Sequence, residues 1–305
     1  MRQPLYKVLV KDFHRNKLKY LMFVPVAIYF IIFCYKPMYG LQIAFKYYKP
    51  SLGIEGSKWI GFKNFDRFFN DFYFGRLLGN TFRLSFLSLL WGFPIPIVFA
   101  LLLNEMKDGA FKKFVQTSSY LPHFISIVVV CSMIRQFSLT NGLFNDLIEY
   151  FGGTRTALLS NADNFPFIYV ASGVWQGFGW NSIIYLAALS GIDQELYEAA
   201  RIDGAGRMGQ VWHITLPGIL PTIIILLILN LGSILSVGSE KILLLYSDST
   251  MKTADVISTY TYRKGLLNAE YSYSTAVGMF NSVVNVIFLV SANALSKKTT
   301  ELSMF

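Results

Sequence analysis

The chain has 305 residues, 53% of them hydrophobic and only 15% charged, with 27 Lys/Arg against 18 Asp/Glu. A soluble domain carries charge on about 25% of its residues, so this composition excludes an ordinary soluble protein. The formal net charge of +9 would point to nucleic acid only if the basic residues shared one face, and they are scattered along the sequence.

The N-terminal segment carries Arg2, Lys7, Lys11, Arg15, Lys17 and Lys19 ahead of the first apolar run, residues 20–35. That run extends past Lys36 as far as Phe45 if the lysine reaches the interface with its ammonium group. No small-residue cleavage site follows, because Lys36-Pro37-Met38-Tyr39 is unsuitable, so the run reads as a retained span and not as a signal peptide. Residues 84–103 then form a run of twenty without a charge. Residues 164–192, 214–239 and 271–296 are also uncharged, each at least 26 residues long. About 20 apolar residues at a rise of 1.5 Å cross a hydrocarbon core of about 30 Å. One Lys or Arg at the centre of such a helix costs about 2.5–3.5 kcal/mol, so long charge-free runs are what insertion requires. A weaker run, 120–137, has Pro122 and His123 near one end and Arg135 near the other.

The expectation is an all-α membrane protein with six transmembrane helices at about 18–42, 82–104, 119–138, 166–190, 216–238 and 274–296. Pro25, Pro94, Pro96, Pro122 and Pro221 fall in or beside these spans, where neighbouring helices can satisfy the freed carbonyls. Cys34 and Cys131 sit in apolar runs and read as buried thiols, with no zinc-type spacing. Six spans put both termini on one side. The Lys/Arg totals of the two sides are nearly equal, but the basic cluster before the first helix favours a cytoplasmic N-terminus. Segment 139–165, with Gly142 and Gly152-Gly153, reads as a short external amphipathic helix and turn.

Between the fourth and fifth spans lies the polar loop 191–217. Asp193 is a good N-cap, and Glu195 places negative charge in the first turn, where the helix dipole favours it. Leu196, Ala199, Ala200 and Asp203 share one narrow face with small residues at its centre. Gly204 suits a left-handed position that ends the helix. A second short helical pattern, Met208, Val211 and Trp212, is expected to stop at Leu216-Pro217. Pattern alone leaves two readings: an interfacial helix, or a helix that enters another protein's groove.

Glu198-Ala199-Ala200, three residues, Gly204, nine residues, then Ile214-Thr215-Leu216-Pro217 resembles the EAA motif, E-A-A-x3-G-x9-I-x-L-P. That motif marks permease subunits of binding-protein-dependent ATP-binding-cassette importers. Trp59-Ile60-Gly61-Phe62-Lys63-Asn64-Phe65 resembles the W-x-G-x-x-N-F stretch of sugar permeases, and Asn80-Thr81 resembles their N-T pair. Met38-Tyr39-Gly40, Ser119-Tyr120-Leu121-Pro122-His123 and Leu244-Leu245-Tyr246 are similar to the polysaccharide-type branch of the maltose-type permease family.

The resemblance covers nearly the whole chain and implies a type I ABC importer permease fold in a bacterial cytoplasmic (inner) membrane, with both termini cytoplasmic. It implies a basic N-terminus over 1–17, a permease domain over 18–298 and a tail over 299–305. The implied partners are a second homologous permease, two ATP-binding subunits, an extracytoplasmic solute-binding protein, membrane lipid and an oligosaccharide substrate, with no nucleic acid. ATP and magnesium would sit on the partner ATPase, since this sequence has no G-x-x-x-x-G-K-[ST] run, so the chain is not itself an enzyme. Glu198, Ala199, Ala200, Asp203 and Gly204 would couple to that ATPase. Carried over by position, the substrate path would include Gln176, Gly177, Trp180 and Asn230. Residues 46–79 and 240–273 would form the platform for the binding protein.

Each polar path residue also has a plainer role open to it, because Gly, Ser and Asn commonly join helices within a bilayer. Asn281 and Asn285, one helical turn apart on the last span, fit that plainer role best. Two rival classes fit less well. Asp203-Gly204-Ala205-Gly206-Arg207 superficially resembles the start of a phospholipid phosphotransferase motif, but no later pair of spaced aspartates follows. A secondary transporter usually carries ionisable residues at mid-membrane, and the four long runs have none.

Overall fold

The computed structural model describes residue 12 and residues 15–300, with side chains as far as 298. Arg2, Lys7 and Lys11 of the basic cluster, and the tail beyond 300, lie outside the described residues.

Among the described residues, four helical stretches are long and apolar enough to cross a bilayer: α1 (Lys17–Phe45), the pair α3 (Phe74–Gly92) and α4 (Pro94–Glu105), α10 (Arg207–Leu231) and α13 (Tyr271–Thr300). Between α1 and α3 lie a hairpin of β1 (Lys46–Lys49) and β2 (Ser57–Trp59), with Lys46 opposite Trp59, and the short helix α2 (Lys63–Phe69). This hairpin is the one sheet among the described residues and the only departure from an all-α chain.

The expected third span is not one helix. α5 (Ala110–Tyr120) runs through a 3-10 turn, Leu121–Phe124, and then bends by 96° into α6 (Ile127–Phe137). Ile125 and Ser126 are extended at the corner, and Pro122 supplies no amide to continue an α-helical ladder. α7 (Leu143–Tyr150) follows, closed by Gly152 at φ 84° and by the Gly153 amide donating to the Ile148 carbonyl at 2.8 Å. This is the expected short amphipathic helix and turn.

α8 (Phe165–Ser190) is an unbroken helix of 26 residues. At 1.5 Å per residue it is about 39 Å long, enough to cross a bilayer. Its polar centre, from Trp175 to Asn181, keeps it outside the strongly apolar set. α8 packs along α3 and α4 and crosses α5 and α10, so it is the axis of the body. The approach to α5 is close at Gly179, where any Cβ would fall 2.2 Å from the Ser119 carbonyl oxygen.

α9 (Gln194–Ile202) occupies the loop after α8. The expected stop at Leu216-Pro217 does not occur. The helix beginning at Arg207 passes through a π turn, Val211–Thr215, and continues to Leu231. Pro217 stands just beyond the π turn, inside this continuous helix, and adds no amide to its ladder. The fifth span therefore starts and ends earlier than 216–238. After it come α11 (Ser239–Leu245) and α12 (Ile257–Tyr262).

Three apolar clusters hold the body together. One joins Leu84, Val130, Phe165, Ile242 and Leu245 across α3, α6, α8 and α11. A second sets Phe68, Leu77, Tyr260 and Tyr273 beneath α2 and α12. The third joins Ala100, Tyr185, Leu189 and Ile219 near the α8–α9 corner. α1 stands apart. None of its most apolar stretch is buried, and it meets α13 through residues 39–45. Cys34, expected to be buried, is exposed on it, whereas Cys131 is buried; both are free thiols. Asn285 performs the expected helix-joining role: its side-chain oxygen accepts from the Leu235 amide at 2.9 Å, and its amide donates to Ser236 Oγ at 3.1 Å.

Candidate functional site

Three regions carry polar chemistry. The first is the α8–α10 corner. Asp193 accepts a hydrogen bond from the Glu195 amide at 3.0 Å and opens α9. The helix ends in a left-handed turn: Gly204 has φ 82°, its amide donates to the Arg201 carbonyl at 3.1 Å, and the Ala205 amide donates to the Ala200 carbonyl at 2.8 Å. This pair of bonds satisfies carbonyls that a helix end otherwise leaves free. Tyr197 anchors the inner face through its hydroxyl, 3.0 Å from Thr215 Oγ1.

No residue of α9 is buried, and Leu196, Glu198, Ala199, Ile202 and Asp203 are exposed. Ile202 keeps 86% of its surface and Trp212 keeps 63%. Ala200 is half-buried on the anchored side, so the face expected to run through Leu196, Ala199, Ala200 and Asp203 is split at that position. The outcome is a short helix fixed from beneath by Tyr197 and open above.

The second region is a cavity of about 460 Å³ between α3, α8, α10 and α11. Gln176, Gly177 and Asn230 line it, as do Ser85, Asn181 and Lys241. Trp180 does not line it. Its ring stacks on His123 at 4.5 Å and 2°, with Phe124 edge-on at 5.4 Å, so it packs against the corner between α5 and α6. Gln176 serves that corner too, donating to the Ile125 carbonyl at 3.1 Å, a group that the broken helix leaves without an intrahelical amide. Asn230 donates to the Leu226 carbonyl one turn back at 2.8 Å, leaving its side-chain oxygen available. Three of the four expected path residues thus share a cavity, and the fourth supports the wall behind it. Trp175, from the same stretch, faces a different, apolar groove between α6, α7 and α8.

Sequence reasoning missed Lys241 and Ser85. Lys241 reads in sequence as the start of an exposed loop, yet it is 8% exposed and its ammonium donates to the Tyr169 carbonyl at 2.8 Å. The placement follows from α11 folding inward against α6, and no local pattern announces it.

The third region joins residues 46–79 to 240–273. Asp255, its side chain 1% exposed, receives Arg263 through both guanidinium nitrogens at 2.8 and 2.6 Å, and Thr259 Oγ1 at 2.8 Å. Asn80 donates to the Lys252 and Asp255 carbonyls at 3.0 and 2.9 Å. Its neighbour Thr81 accepts from the Ile257 amide at 3.0 Å. The Asn80-Thr81 pair therefore ties the start of α3 to the segment ahead of α12. Nearby, Asp71 accepts from the hydroxyls of Tyr260 and Tyr273 at 2.6 and 2.9 Å. Burial pushes the Asp71 carboxyl up, but those hydroxyls and the Tyr73 amide outweigh it and hold it below the usual carboxylate range. Arg67 and Lys264 hold Glu270 low in the same way against the opposing effect of burial.

With this geometry in hand, comparison with known proteins is informative. Residues 92–301 match the family described as the binding-protein-dependent transport system inner membrane component. The chain is 47% identical over 288 residues to the polygalacturonan/rhamnogalacturonan transport system permease protein YteP of Bacillus subtilis (strain 168), covering 94% of this chain and 90% of that one. It is 46% identical over 292 residues to Protein LplB of the same organism, covering 95% and 92%. Among solved structures, it superposes with a TM-score of 0.87 and 47% identity on a chain of a bacterial ABC transporter involved in import of the acidic polysaccharide alginate, covering 96% of this chain and 99% of that one. A second structure, with TM-score 0.88 and 45% identity, is of a bacterial alginate ABC transporter in complex with an alginate pentasaccharide-bound periplasmic protein. The type I importer permease fold expected from the sequence is the fold that the chain shares with these structures.

Proposed function

Because the chain belongs to the binding-protein-dependent transport system inner membrane component family, we propose that it forms half of the path by which an ATP-driven importer passes oligosaccharides released from polysaccharides. The chain is an ABC permease and not an enzyme. A second, similar permease completes the path, two ATP-binding subunits bind ATP and magnesium, and a solute-binding protein delivers the sugar. The domain division at 17 and 298 and cytoplasmic termini accompany this reading. The binding protein docks on the face built from residues 46–79 and 246–273, where buried hydrogen bonds join the two segments; α11, the start of the expected 240–273 segment, lines the cavity wall through Lys241.

The observation that carries the reading is α9. A short helix capped at both ends, anchored by Tyr197 and exposed over Glu198, Ala199 and Asp203 has the form of a rigid ridge for a groove on another protein. Small Ala199 lets the backbone approach closely, Glu198 offers charge, and Gly204 fixes the exit turn. Motion of the ATPase is passed through α9 to α10, with which Tyr197 shares its hydrogen bond to Thr215. Gln176, Gly177 and Asn230 offer the sugar hydroxyls amide groups and room, and Trp180 acts by supporting the wall.

Glu198→Lys in the reconstituted importer tests the coupling assignment. Insertion and assembly of the permease are expected to persist while ATP hydrolysis no longer drives uptake. Wild-type uptake by this variant would remove α9 from the coupling role.

A further inference from the structure

A buried ammonium group stands at the wall of the cavity between α3, α8, α10 and α11. Lys241 is the only charged residue among those lining it. It is 8% exposed, and no carboxylate lies within ion-pair distance of it among the described residues. Its Nζ donates to the Tyr169 carbonyl at 2.8 Å and lies 4.8 Å from the centroid of the Tyr169 ring. One carbonyl and one ring face compensate poorly for removing a full charge from water, and buried Lys residues are almost always paired. Asp255, which is fully buried, follows that rule and is met by Arg263 through two bonds.

Two further features of the wall leave a polar group and room beside the ammonium. Ser85 Oγ, on the cavity wall in a residue 8% exposed, has no hydrogen-bond partner among the described residues. Gly173, also on the wall, keeps the space over the ammonium open, since a Cβ there would stand 3.2 Å from Lys241 Nζ. Around these lie the neutral amides of Gln176, Asn181 and Asn230 and the hydroxyls of Ser233 and Ser236. A carbohydrate that carried a carboxylate would use both sets of groups: hydroxyls to the amides, and the carboxylate to the ammonium and the free serine.

We propose that Lys241 is the counter-charge for a sugar carboxylate, so that the path is specific for uronate-containing oligosaccharides. This rests on the reading of the cavity as part of an oligosaccharide path. An ammonium that is half-compensated when the cavity holds no anion gains its partner when a uronate enters, which favours acidic chains over neutral ones of the same size. A group of this kind acts on selectivity within the path, in addition to any choice made by the binding protein.

The test uses the complete importer in liposomes with its binding protein, and measures uptake of an oligogalacturonate and of the same chain with its carboxyls methyl-esterified. Lys241→Met keeps the length and removes the charge, and an apolar residue of similar volume is commonly well tolerated at a buried ionic position. Uptake of the acidic chain is expected to fall about ten-fold or more, with a smaller loss for the ester. Lys241→Arg retains the charge and is expected to stay near wild type. Gly173→Ala, which crowds the ammonium without removing it, should raise the KM for the acidic chain alone. Wild-type uptake of the acidic chain by Lys241→Met, or equal losses for acid and ester, would overturn the assignment. Should the wild-type importer move neither chain, nor any other oligosaccharide, the reading of the cavity as a sugar path fails with it.

Discussion

At the scale of single residues, Gly204 shows how a local rule constrains a turn. Its φ of 82° lies where a side chain strains the backbone by about 1–2 kcal/mol, yet nothing lies within 4 Å of a Cβ built there. The objection to substitution is therefore conformational and confined to the turn. Gly204→Asp is expected to insert and assemble like wild type while the sugar moved per ATP hydrolysed drops several-fold, measured as paired uptake and phosphate release in liposomes. An unchanged ratio would mean that the turn does not set the pitch of α9. Gly204 and the Asp193 cap were legible in the sequence because both answer to neighbours within five residues. Trp180 was not. Its partner His123 comes from the 3-10 turn after α5, and only the corner between α5 and α6 brings the two rings face to face. Polar or aromatic character within a span thus pointed to a helix that lines the cavity, without separating the residues that meet the cavity from those that build its wall.

Among elements, the same limit appears as bends and registers. Charge-free runs located α1, α8 and α13 to within about a turn, whereas α3 and α10 begin well before the expected 82 and 216, and the 96° corner between α5 and α6 depends on tertiary partners. Gln176 satisfies the Ile125 carbonyl, and Gly179 admits the α5 backbone. Neither contact is visible from the run 120–137 itself. The junction of α3 with α12 is a second tertiary product, and it can be tested. Arg263 and Asp255 form a bidentate pair with the carboxylate almost fully enclosed, and Arg76 stands farther off at 4.0 Å. Removing one member of a buried pair leaves the other uncompensated, at a cost of about 3–5 kcal/mol. Arg263→Met should therefore lower the thermal midpoint of the purified permease markedly in detergent, and Arg263→Lys, which restores charge without the fork, should lower it less. Equal midpoints for Arg263→Met and wild type would show that the Asn80-Thr81 bonds hold this junction without the ion pair.

For the whole molecule, the scarcity of charge that suggests a membrane protein also bears on its source of energy. The four long uncharged runs offer no ionisable side chain at mid-membrane for a coupling ion. The one buried ammonium that reaches the cavity, Lys241, arrives from α11 outside those runs, which is why the sequence did not reveal it. The chain also contains no phosphate-cradling G-x-x-x-x-G-K-[ST] run. On the proposed coupling, work enters through a surface, and α9 is an exposed, capped and polar helix that offers one. α1 bears on the same point: Leu18, Met22 and Phe23 keep 76%, 78% and 61% of their surface, so the first turns of this helix find little cover among the described residues. The isolated chain reconstituted in liposomes is accordingly expected to hydrolyse no ATP above empty vesicles and to concentrate no oligosaccharide. Adding a second permease, the ATP-binding subunits and the binding protein should restore both activities together. Concentrative uptake by the chain alone would require an energy source within these helices, and it would remove the need for α9 to meet another protein.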